Sequence, residues 1–326
     1  MIKLGVIGMG GIAYWMHVPQ ANATGKFYIK AAMDVTPESI LAKQRDIPDY
    51  YTDYRKMLAD PEIDAVIITS PHHVHEEHCV AAFEAGKHVL IEKPISRNLK
   101  EARNIMAAAE RSGKIGMIGF CQRFDARYSH IKNILAKGEL GELLSARIDH
   151  YQNFDPAPES WWRSKEKVGG GAVIGSGVHR LDLLRWYFGE PVSVYAKAVG
   201  MPERLEAEAC AHAVIEFDSG VIANFSINWA VYGHHYYEGF SVAGKKGSII
   251  VENGVTVSNA EMQSGEVKPV EIPPCQGMYD HFADCIINNK QPITTLEEGY
   301  RSLRLVRAIY RSIQTGKVVD PQEVEF

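Results

Sequence analysis

The sequence has few cysteines, and none of them is paired at the spacing of a metal or redox motif. The five are Cys79, Cys121, Cys210, Cys275 and Cys285, an odd number with no C-x-x-C pair. Such a set argues against a disulfide framework or a zinc ribbon and favours a reducing compartment. None has the surroundings of a nucleophile, so we interpret all five as buried or inert.

The sequence also lacks a long apolar run and an excess of positive charge. No stretch reaches the roughly 18 apolar residues of a membrane helix, and Gly8 breaks the run after Met1 too early for a signal peptide. Lys and Arg number 35 against 40 Asp and Glu, so no broad basic field is available for nucleic-acid phosphates. We therefore expect a cytoplasmic protein with neither a nucleic-acid nor a membrane partner.

Short β-rich runs alternate with helical patterns over the first third of the chain. The strand candidates are Ile2–Ile7, Phe27–Met33, Asp64–Thr69, His88–Ile91 and Ile115–Phe120. The helix candidates are a segment that ends near Ala23, Pro37–Arg45, Val74–Ala85 and Leu99–Ser112. This alternation is typical of right-handed βαβ units and predicts an α/β domain with a doubly wound parallel sheet over residues 1–121.

The pattern changes after about Cys121, where helices and strands no longer alternate. The further helix and strand candidates are Ala126–Ala136, Leu143–Tyr151, Val178–Phe188 and Leu296–Gln314. Apolar and polar residues alternate strictly over Ala223–Trp229, which indicates a strand with one covered face. A chain of 326 residues has the length of two domains, and we predict an α+β domain with a mostly antiparallel sheet over residues 122–326.

A glycine-rich turn lies between the first strand candidate and the first helix candidate. Its residues, Gly8-Met9-Gly10-Gly11-Ile12-Ala13, have the pattern G-x-G-x-x-A. Gly8 permits a tight turn, Gly10 lets the backbone approach a pyrophosphate, and the small Ala13 lets the helix pack closely on the strand. The helix N-terminus offers N–H groups and partial positive charge to phosphates. The pattern predicts a dinucleotide site, with a purely structural glycine turn as the alternative.

Asp34 stands at the predicted end of the second strand, where an acid accepts hydrogen bonds from the adenosine ribose hydroxyls. A 2′-phosphate there would meet the carboxylate, and two like charges about 4 Å apart repel by about 4 kcal/mol at an effective dielectric near 20. No Arg or Lys follows Asp34 until Lys43. Asp34 therefore favours NAD over NADP as the cofactor, unless it is an ordinary surface residue of a turn.

The stretch Gly86–Ser96, with Glu92-Lys93-Pro94 near its end, closely resembles the G-K-H-V-x-x-E-K-P segment of one enzyme family. This is the glucose–fructose oxidoreductase / inositol dehydrogenase / rhizopine-catabolism (Gfo/Idh/MocA) family. Further matches, in the family's order over most of the chain, are Gly8–Ala13, Asp34, Ser70-Pro71…His75 and Gly169-Gly170-Gly171…Gly177-Val178-His179…Asp182. The resemblance implies an NAD(P)-dependent dehydrogenase of sugars, sugar derivatives or cyclitols. It further implies a Rossmann domain, a second domain with an open sheet, and a homodimer or homotetramer formed through that sheet.

The resemblance also implies which side chains do the chemistry. Lys93 would hold the reacting hydroxyl, because an ammonium group stabilises developing alkoxide charge, and His179 would transfer the proton. A solvated Lys and a capping His are the structural alternatives, and we interpret Asp182 as mainly structural. The residues expected beside the cofactor are Ser70, Pro71, His72, His75, Glu92 and Lys93.

One departure from the family pattern lies four residues before His179. Many family dehydrogenases carry Asp there, whereas this chain has Gly175. Either Lys93 and His179 suffice, or another side chain takes the place of the acid, or the substrate has a different shape there. The candidates for that replacement are His150, Tyr151 and Asn153.

Three other clusters have two interpretations each. His72, His75 and His78 are spaced to share a helix face, but we expect cofactor-adjacent packing or capping there and no metal site. Trp162 and Arg163 could stack on and hold a sugar, as Tyr151 could contact it, or the Trp161-Trp162 pair could anchor a loop. His234-His235-Tyr236-Tyr237 could line a pocket or a subunit contact.

The sequence thus predicts an NAD-dependent dehydrogenase that oxidises a secondary hydroxyl of a sugar, a sugar derivative or a cyclitol. One alternative is an NAD-dependent glycoside-cleaving enzyme that works through transient oxidation. The other is a nucleotide-binding sensor without catalysis.

Overall fold

The protein is described here from a computed structural model. The residues that it describes are 1–36, 46–233, 237–252, 254–259 and 268–325. The predicted helix Pro37–Arg45 lies outside these residues, as do positions 234–236 of the predicted pocket or subunit contact. No helix in the described ranges is long and apolar enough to cross a bilayer.

The chain divides into two compact units. The first contains Met1–Cys121 and Gln276–Tyr300, and the second contains Gln122–Cys275 and Arg301–Phe326. We expected 276–300 in the second domain. It belongs with the first unit because Tyr279 and Phe282, on the helix Met278–Asn288, place their rings 5.9 and 6.0 Å from the ring of Phe27.

The first unit is built on a six-stranded parallel sheet with the order β3-β2-β1-β4-β5-β6. The strands are β1 (Ile2–Ile7), β2 (Phe27–Met33), β3 (Asp49–Tyr51), β4 (Ala65–Ile68), β5 (His88–Ile91) and β6 (Gly116–Ile118). All four residues of β4 are fully buried, as a strand covered on both faces requires. The doubly wound sheet is confirmed. In such sheets ligands bind outside the carboxyl ends of the strands, where the strand order reverses, here between β1 and β4.

Capping residues fix both ends of one helix in the first unit, and two further helices follow β4 and β1. The helix Leu99–Ser112 begins at Asn98, whose side chain accepts a hydrogen bond from the Glu101 N–H at 3.0 Å, and ends at Gly113 in the left-handed conformation. The helix His75–Glu84 leads from β4 towards β5. After β1 the chain forms a π-helical turn, Ala13–His17, and continues as the helix Val18–Ala23.

The second unit contains an eight-stranded sheet with the order β14-β13-β12-β11-β7-β10-β9-β8. The strands are β7 (Leu143–Tyr151), β8 (Pro191–Gly200), β9 (Glu208–Phe217), β10 (Ile222–Asn228), β11 (Tyr237–Gly244), β12 (Gly247–Val251), β13 (Val255–Asn259) and β14 (Lys268–Pro269). β7 and β10 run parallel and every other neighbouring pair runs antiparallel, so the predicted mostly antiparallel sheet is confirmed.

One face of this sheet is covered and the other is open. On β10 the side chains of Ala223, Phe225 and Ile227 are buried, whereas Ile222, which points to the opposite face, is 49% exposed. Val214 on β9 is 47% exposed in the same way. The alternation read in the sequence thus gives the sheet its covered face.

A buried ion pair fixes the helix Val178–Phe188 in the second unit. Arg123 donates from Nε and Nη2 to the two carboxylate oxygens of Asp182 at 2.8 and 2.7 Å, and both side chains are almost fully buried. The Ser302 hydroxyl donates to Asp182 Oδ1 at 3.1 Å. A bidentate pair of this kind is geometrically specific, so Asp182 has the structural role that we expected.

Candidate active site

Gly8, the first glycine of the predicted dinucleotide turn, lies where the neighbouring backbone leaves no room for a side chain. Gly8 has φ +91°, and a Cβ on it would lie 2.7 Å from the backbone nitrogen of Ser70. The Gly8 N–H donates to the Met33 carbonyl at 2.8 Å, and the Thr69 hydroxyl donates to the Gly8 carbonyl at 2.6 Å. The turn is therefore held between the ends of β2 and β4.

The other side of the turn has room for a ligand. Among the described residues, no heavy atom outside Gly10 and its chain neighbours lies within 4 Å of a Cβ placed on Gly10, and the nearest such atom for Gly11 is in the Trp15 ring at 4.0 Å. Ile12 is 47% exposed, whereas Ala13 is fully buried. An open backbone at a helix start, with the small Ala13 packed beneath it, fits the pyrophosphate of a dinucleotide.

Five predicted cofactor residues follow the carboxyl ends of four parallel strands. Gly8 follows β1, Asp34 follows β2, Ser70 follows β4, and Glu92 and Lys93 follow β5. Parallel strands end at the same edge of a sheet, so the first unit brings these residues to the edge where such folds bind ligands. Asp34 is partly exposed, and its Oδ1 accepts a hydrogen bond from the Thr36 N–H at 3.3 Å, which orients the carboxylate.

His75 joins two of these strand ends. Its ring is fully buried, with Nδ1 2.9 Å from the Pro94 carbonyl oxygen and Nε2 2.8 Å from the Ser70 carbonyl oxygen. Burial lowers the pKa of His75, although the two carbonyl contacts act in the opposite direction. The imidazole thus ties the turn at Ser70-Pro71 to the turn at Lys93-Pro94.

Two further histidines of the segment 72–78, His72 and His78, are also buried and in contact with neighbouring residues. His78 Nδ1 lies 2.9 Å from the Ser70 hydroxyl, and burial lowers the pKa of His78 to about 4. The ring of His72 is buried, with its centre 5.5 Å from that of His75. In the part of the chain that the structure describes, no group of three or more His, Cys, Asp or Glu residues is arranged to hold a metal ion.

Glu92, the residue before Lys93, forms a buried hydrogen-bonded triad with His17 and Tyr279. Glu92 Oε1 accepts from His17 Nε2 at 2.9 Å, and its Oε2 accepts from the Lys93 backbone N–H at 3.1 Å. His17 Nδ1 lies 2.6 Å from the Tyr279 hydroxyl, and burial and the nearby Glu92 raise the pKa of that phenol. Burial alone would raise the pKa of Glu92, but the His17 hydrogen bond, with the charges of His17 and Lys93, lowers it below its usual value. Glu92 is therefore an ionised carboxylate beside Lys93.

Sequence reasoning missed His17 and Tyr279. Tyr279 is 262 residues from its partner, and no local pattern marks either residue. His17 does close the π-helical turn Ala13–His17, and such turns are frequent at functional sites.

His179 follows a second π-helical turn, Val173–Gly177, at the start of the helix Val178–Phe188. Its side chain is almost fully buried. A Cβ on Gly177 would lie 2.8 Å from Phe225 Cζ, so the helix start packs closely on the covered face of β10.

Aromatic rings fill the space that a side chain at position 175 would need. A Cβ on Gly175 would lie 2.7 Å from Trp229 Cζ2 and 3.1 Å from Trp162 Cζ3. Trp229 is buried, and its Nε1 donates to the Ser176 hydroxyl at 2.7 Å. The centre of the Phe154 ring is 4.4 Å from that of Trp229. The glycine that replaces the family's acid is thus covered by a fixed aromatic cluster.

The predicted substrate residues Trp162 and Arg163 have structural partners. Trp162 stacks on Trp161 with ring centres 4.3 Å apart. Arg163 donates to the carbonyls of Pro156 at 2.9 Å and Glu203 at 2.8 Å. These contacts anchor the loop, and a substrate contact by either residue stays a prediction.

His150 and Tyr151 point to opposite faces of the sheet. His150 Nδ1 accepts from Arg180 at 2.8 Å, and its Nε2 lies 3.0 Å from Gln152 Oε1. Arg180 also pairs with Glu238. Tyr151 is on the open face, 3.0 Å from the Ser226 hydroxyl, away from the face on which Phe225 packs against Gly177. The side chain of the third candidate, Asn153, accepts from Arg204 at 2.9 Å.

Comparison with known proteins identifies the family. Residues 2–120 match the model of an oxidoreductase family with an NAD-binding Rossmann fold, and residues 132–320 match that of the family's C-terminal alpha/beta domain. The second match alone spans more than half of the chain.

Named relatives agree with these two matches. An uncharacterized oxidoreductase, YrbE, of Bacillus subtilis (strain 168) is 31% identical over 99% of this chain and 98% of its own length. The scyllo-inositol 2-dehydrogenase (NAD(+)) of the same strain is 29% identical over 98% of this chain and 96% of its own. A levoglucosan dehydrogenase solved with NADH and levoglucosan has the same fold, with a TM-score of 0.91 and 23% identity over 99% of this chain and all of that one. The chain therefore belongs to the Gfo/Idh/MocA family of NAD(P)-dependent oxidoreductases, as the E-K-P segment predicted.

Proposed function

We propose that this chain is an NAD-dependent dehydrogenase that oxidises, reversibly, a secondary hydroxyl of a sugar, a sugar derivative or a cyclitol. The observation that carries the proposal is the position of Lys93. It follows the ionised Glu92 at the sheet edge that also holds the open glycine turn and Asp34. The names of the relatives that act on an inositol and on levoglucosan support the substrate class.

Each proposed role follows from the chemistry of the side chain. NAD, when bound, accepts the hydride that the alcohol carbon loses. The backbone at Gly10 and Gly11 binds the pyrophosphate, and Asp34 accepts hydrogen bonds from the ribose hydroxyls. The Lys93 ammonium donates to the substrate oxygen and stabilises its developing negative charge. His179 takes the hydroxyl proton, for which an imidazole is suited near neutral pH.

We further propose a homodimer or homotetramer formed through the open face of the second unit's sheet, and a cytoplasmic location. Tyr195, Val214 and Ile222 are between 39% and 49% exposed on β8, β9 and β10. Apolar side chains in adjacent strands of an open sheet favour burial against another surface.

A substrate screen tests the proposed function. Polyols, aldoses, inositols and glycosides are each incubated with the protein at alkaline pH, with NAD or with NADP; reduced nicotinamide is followed by its absorbance and any released aglycone by chromatography. We expect stoichiometric NADH from at least one of them. Release of an aglycone without net NADH would instead establish the glycoside-cleaving alternative, which the absence of an acid at Gly175 keeps open. Binding of NAD without turnover of any compound would favour the other alternative, a nucleotide-binding sensor without catalysis.

The preference for NAD is tested at Asp34. Asp34→Ala removes a charged acceptor of ribose hydrogen bonds, each typically worth about 1.5–3 kcal/mol, and also removes the repulsion of a 2′-phosphate. We expect Kd for NADH to rise about 10- to 100-fold while Kd for NADPH stays constant or falls. Titration of both nucleotides by fluorescence measures the ratio. Glu84→Ala, an exposed acid of the same unit, is the control and should change neither value. An unchanged NADH to NADPH ratio in Asp34→Ala would contradict the assignment.

A further inference from the structure

Three side chains hold the triple glycine that precedes the helix of His179. Arg307 Nη2 donates to the Gly169 carbonyl at 2.7 Å. The Gly171 N–H lies 3.2 Å from Glu208 Oε1 and 3.1 Å from the Tyr310 hydroxyl oxygen, and donates to both. Glu208 begins β9, and Arg307 and Tyr310 belong to the helix Leu296–Thr315.

Glu208 and Tyr310 also accept hydrogen bonds from the π-helical turn Val173–Gly177. The Val173 N–H donates to Glu208 Oε1 at 3.0 Å, and the Ile174 N–H donates to the Tyr310 hydroxyl at 3.3 Å. The Tyr310 hydroxyl in turn donates to Glu208 Oε1 at 2.8 Å. N–H groups at a helix start have no acceptor within the helix, so Glu208 and Tyr310 fix the start of the segment that carries His179.

Gly170 and Gly171 lie too close to Tyr310 and to Glu208 for any side chain to fit. Gly170 has φ +150°, and a Cβ on it would lie 2.5 Å from Tyr310 Cζ. A Cβ on Gly171 would lie 2.1 Å from the backbone carbonyl oxygen of Glu208 and 2.9 Å from its carboxyl carbon. A larger residue at either position would therefore displace the loop from Tyr310 or from the start of β9.

A cavity lies on the outer side of the first two glycines. A cavity of about 590 Å³ is lined by Gly169 and Gly170 together with Glu208, Arg307 and Tyr310. Gly169 and Gly170 border this space, whereas residues 171–175 are buried, so the hydrogen bonds act together with packing to hold the segment.

We propose that Glu208 and Tyr310 are positioning residues for His179, which they place by fixing residues 171–174. The proposal rests on the proposed function, in which His179 takes the substrate proton. Neither residue has to touch substrate or cofactor. A displacement of the His179 imidazole by about 1 Å would lower the rate by up to about 100-fold. Loss of the pair would therefore lower kcat and not only the stability of the fold.

Steady-state kinetics test the proposal. Tyr310→Phe should lower kcat about 10- to 100-fold while KM for NAD stays within about twofold of the wild-type value. Glu208→Ala should have the same effect. Glu208→Gln keeps an acceptor oxygen in place, so it should recover most of the lost rate. Tyr187→Phe is the matched control, since that hydroxyl is buried, belongs to the helix of His179 and donates to the Tyr128 carbonyl at 2.9 Å. The control should lower Tm but leave kcat unchanged.

A second measurement does not depend on any substrate. Hydrogen exchange of the amides of residues 171–174 should become faster in Tyr310→Phe and stay unchanged in Tyr187→Phe. A kcat of Tyr310→Phe within twofold of wild type, an equal loss in Tyr187→Phe, or unchanged exchange would each overturn the proposal. If wild-type protein oxidises no alcohol at all, the proposed function fails, and the exchange experiment still decides whether the pair holds the loop.

Discussion

Lys93→Ala should lower kcat by about 10²- to 10³-fold while Kd for NAD changes by less than about twofold. The size is that of removing one preorganised donor to a developing oxyanion. The backbone that carries this donor is fixed on both sides of Lys93. Its N–H is bonded to Glu92, whose carboxylate is bonded to His17, and His75 binds the carbonyl of Pro94. Nucleotide binding should survive because, in the proposed function, the glycine turn and Asp34 provide most of the contacts to NAD.

The Lys93 experiment needs a control for charge and a control for folding. Lys100→Ala removes an exposed lysine from the neighbouring helix Leu99–Ser112 and should leave kcat unchanged. Lys93→Arg keeps the charge but not the compact ammonium geometry, so it should recover only part of the rate. Thermal unfolding with and without NAD reports whether Lys93→Ala still folds and binds nucleotide. Turnover of any alcohol at the wild-type rate by Lys93→Ala would show that another group polarises the oxygen.

Local patterns were enough to predict the strand ends at which the proposed cofactor residues lie. β1, the glycine turn and Asp34 depend on residues close in sequence, and the rule that parallel strands end at one edge then brings Ser70 and Lys93 to the same place. The strand alternation over Ala223–Trp229 likewise predicted which side of β10 is covered. In each case the structural feature is decided within one or two neighbouring elements.

The remaining contacts depend on residues far apart in the chain. Tyr279 approaches His17 across 262 residues, and Tyr310 approaches Glu208 across 102. Neither pair has a spacing that a single sequence reveals. The two π-helical turns were also missed, because each differs from an α-helix by one extra residue in one turn and leaves the apolar pattern almost unchanged.

The sequence also did not decide which of two adjacent strand residues lies on the covered face of the sheet. His150 and Tyr151 were equal candidates to replace the acid at position 175. A strand sends them to opposite faces, and their order alone does not say which face is covered. The structure separates them, since His150 is buried with Arg180 and Tyr151 pairs with Ser226 on the open side.

Gly175→Asp should destabilise the protein by about 2–3 kcal/mol and should not raise kcat. The new Cβ would overlap the buried ring of Trp229, and forced overpacking costs about 1–3 kcal/mol before any charge is buried. Trp229 cannot easily withdraw, because Ser176 binds its Nε1 and Phe154 packs on it. The family's acid is thus excluded here by an aromatic cluster, and one substitution does not restore it.

A double-mutant cycle separates this steric cause from a general sensitivity of the turn. Trp229→Phe removes the part of the ring that a Cβ at position 175 would meet, so Gly175→Ala should cost at least about 1 kcal/mol less in that background than in the wild type. Urea unfolding of the four proteins gives the coupling free energy. Gly200→Ala is the matched glycine control, because a Cβ there would come no closer than 3.7 Å to its nearest neighbour, the Ala207 carbonyl oxygen. Additive costs in the cycle would mean that the backbone of the π-helical turn, and not Trp229, demands glycine at position 175.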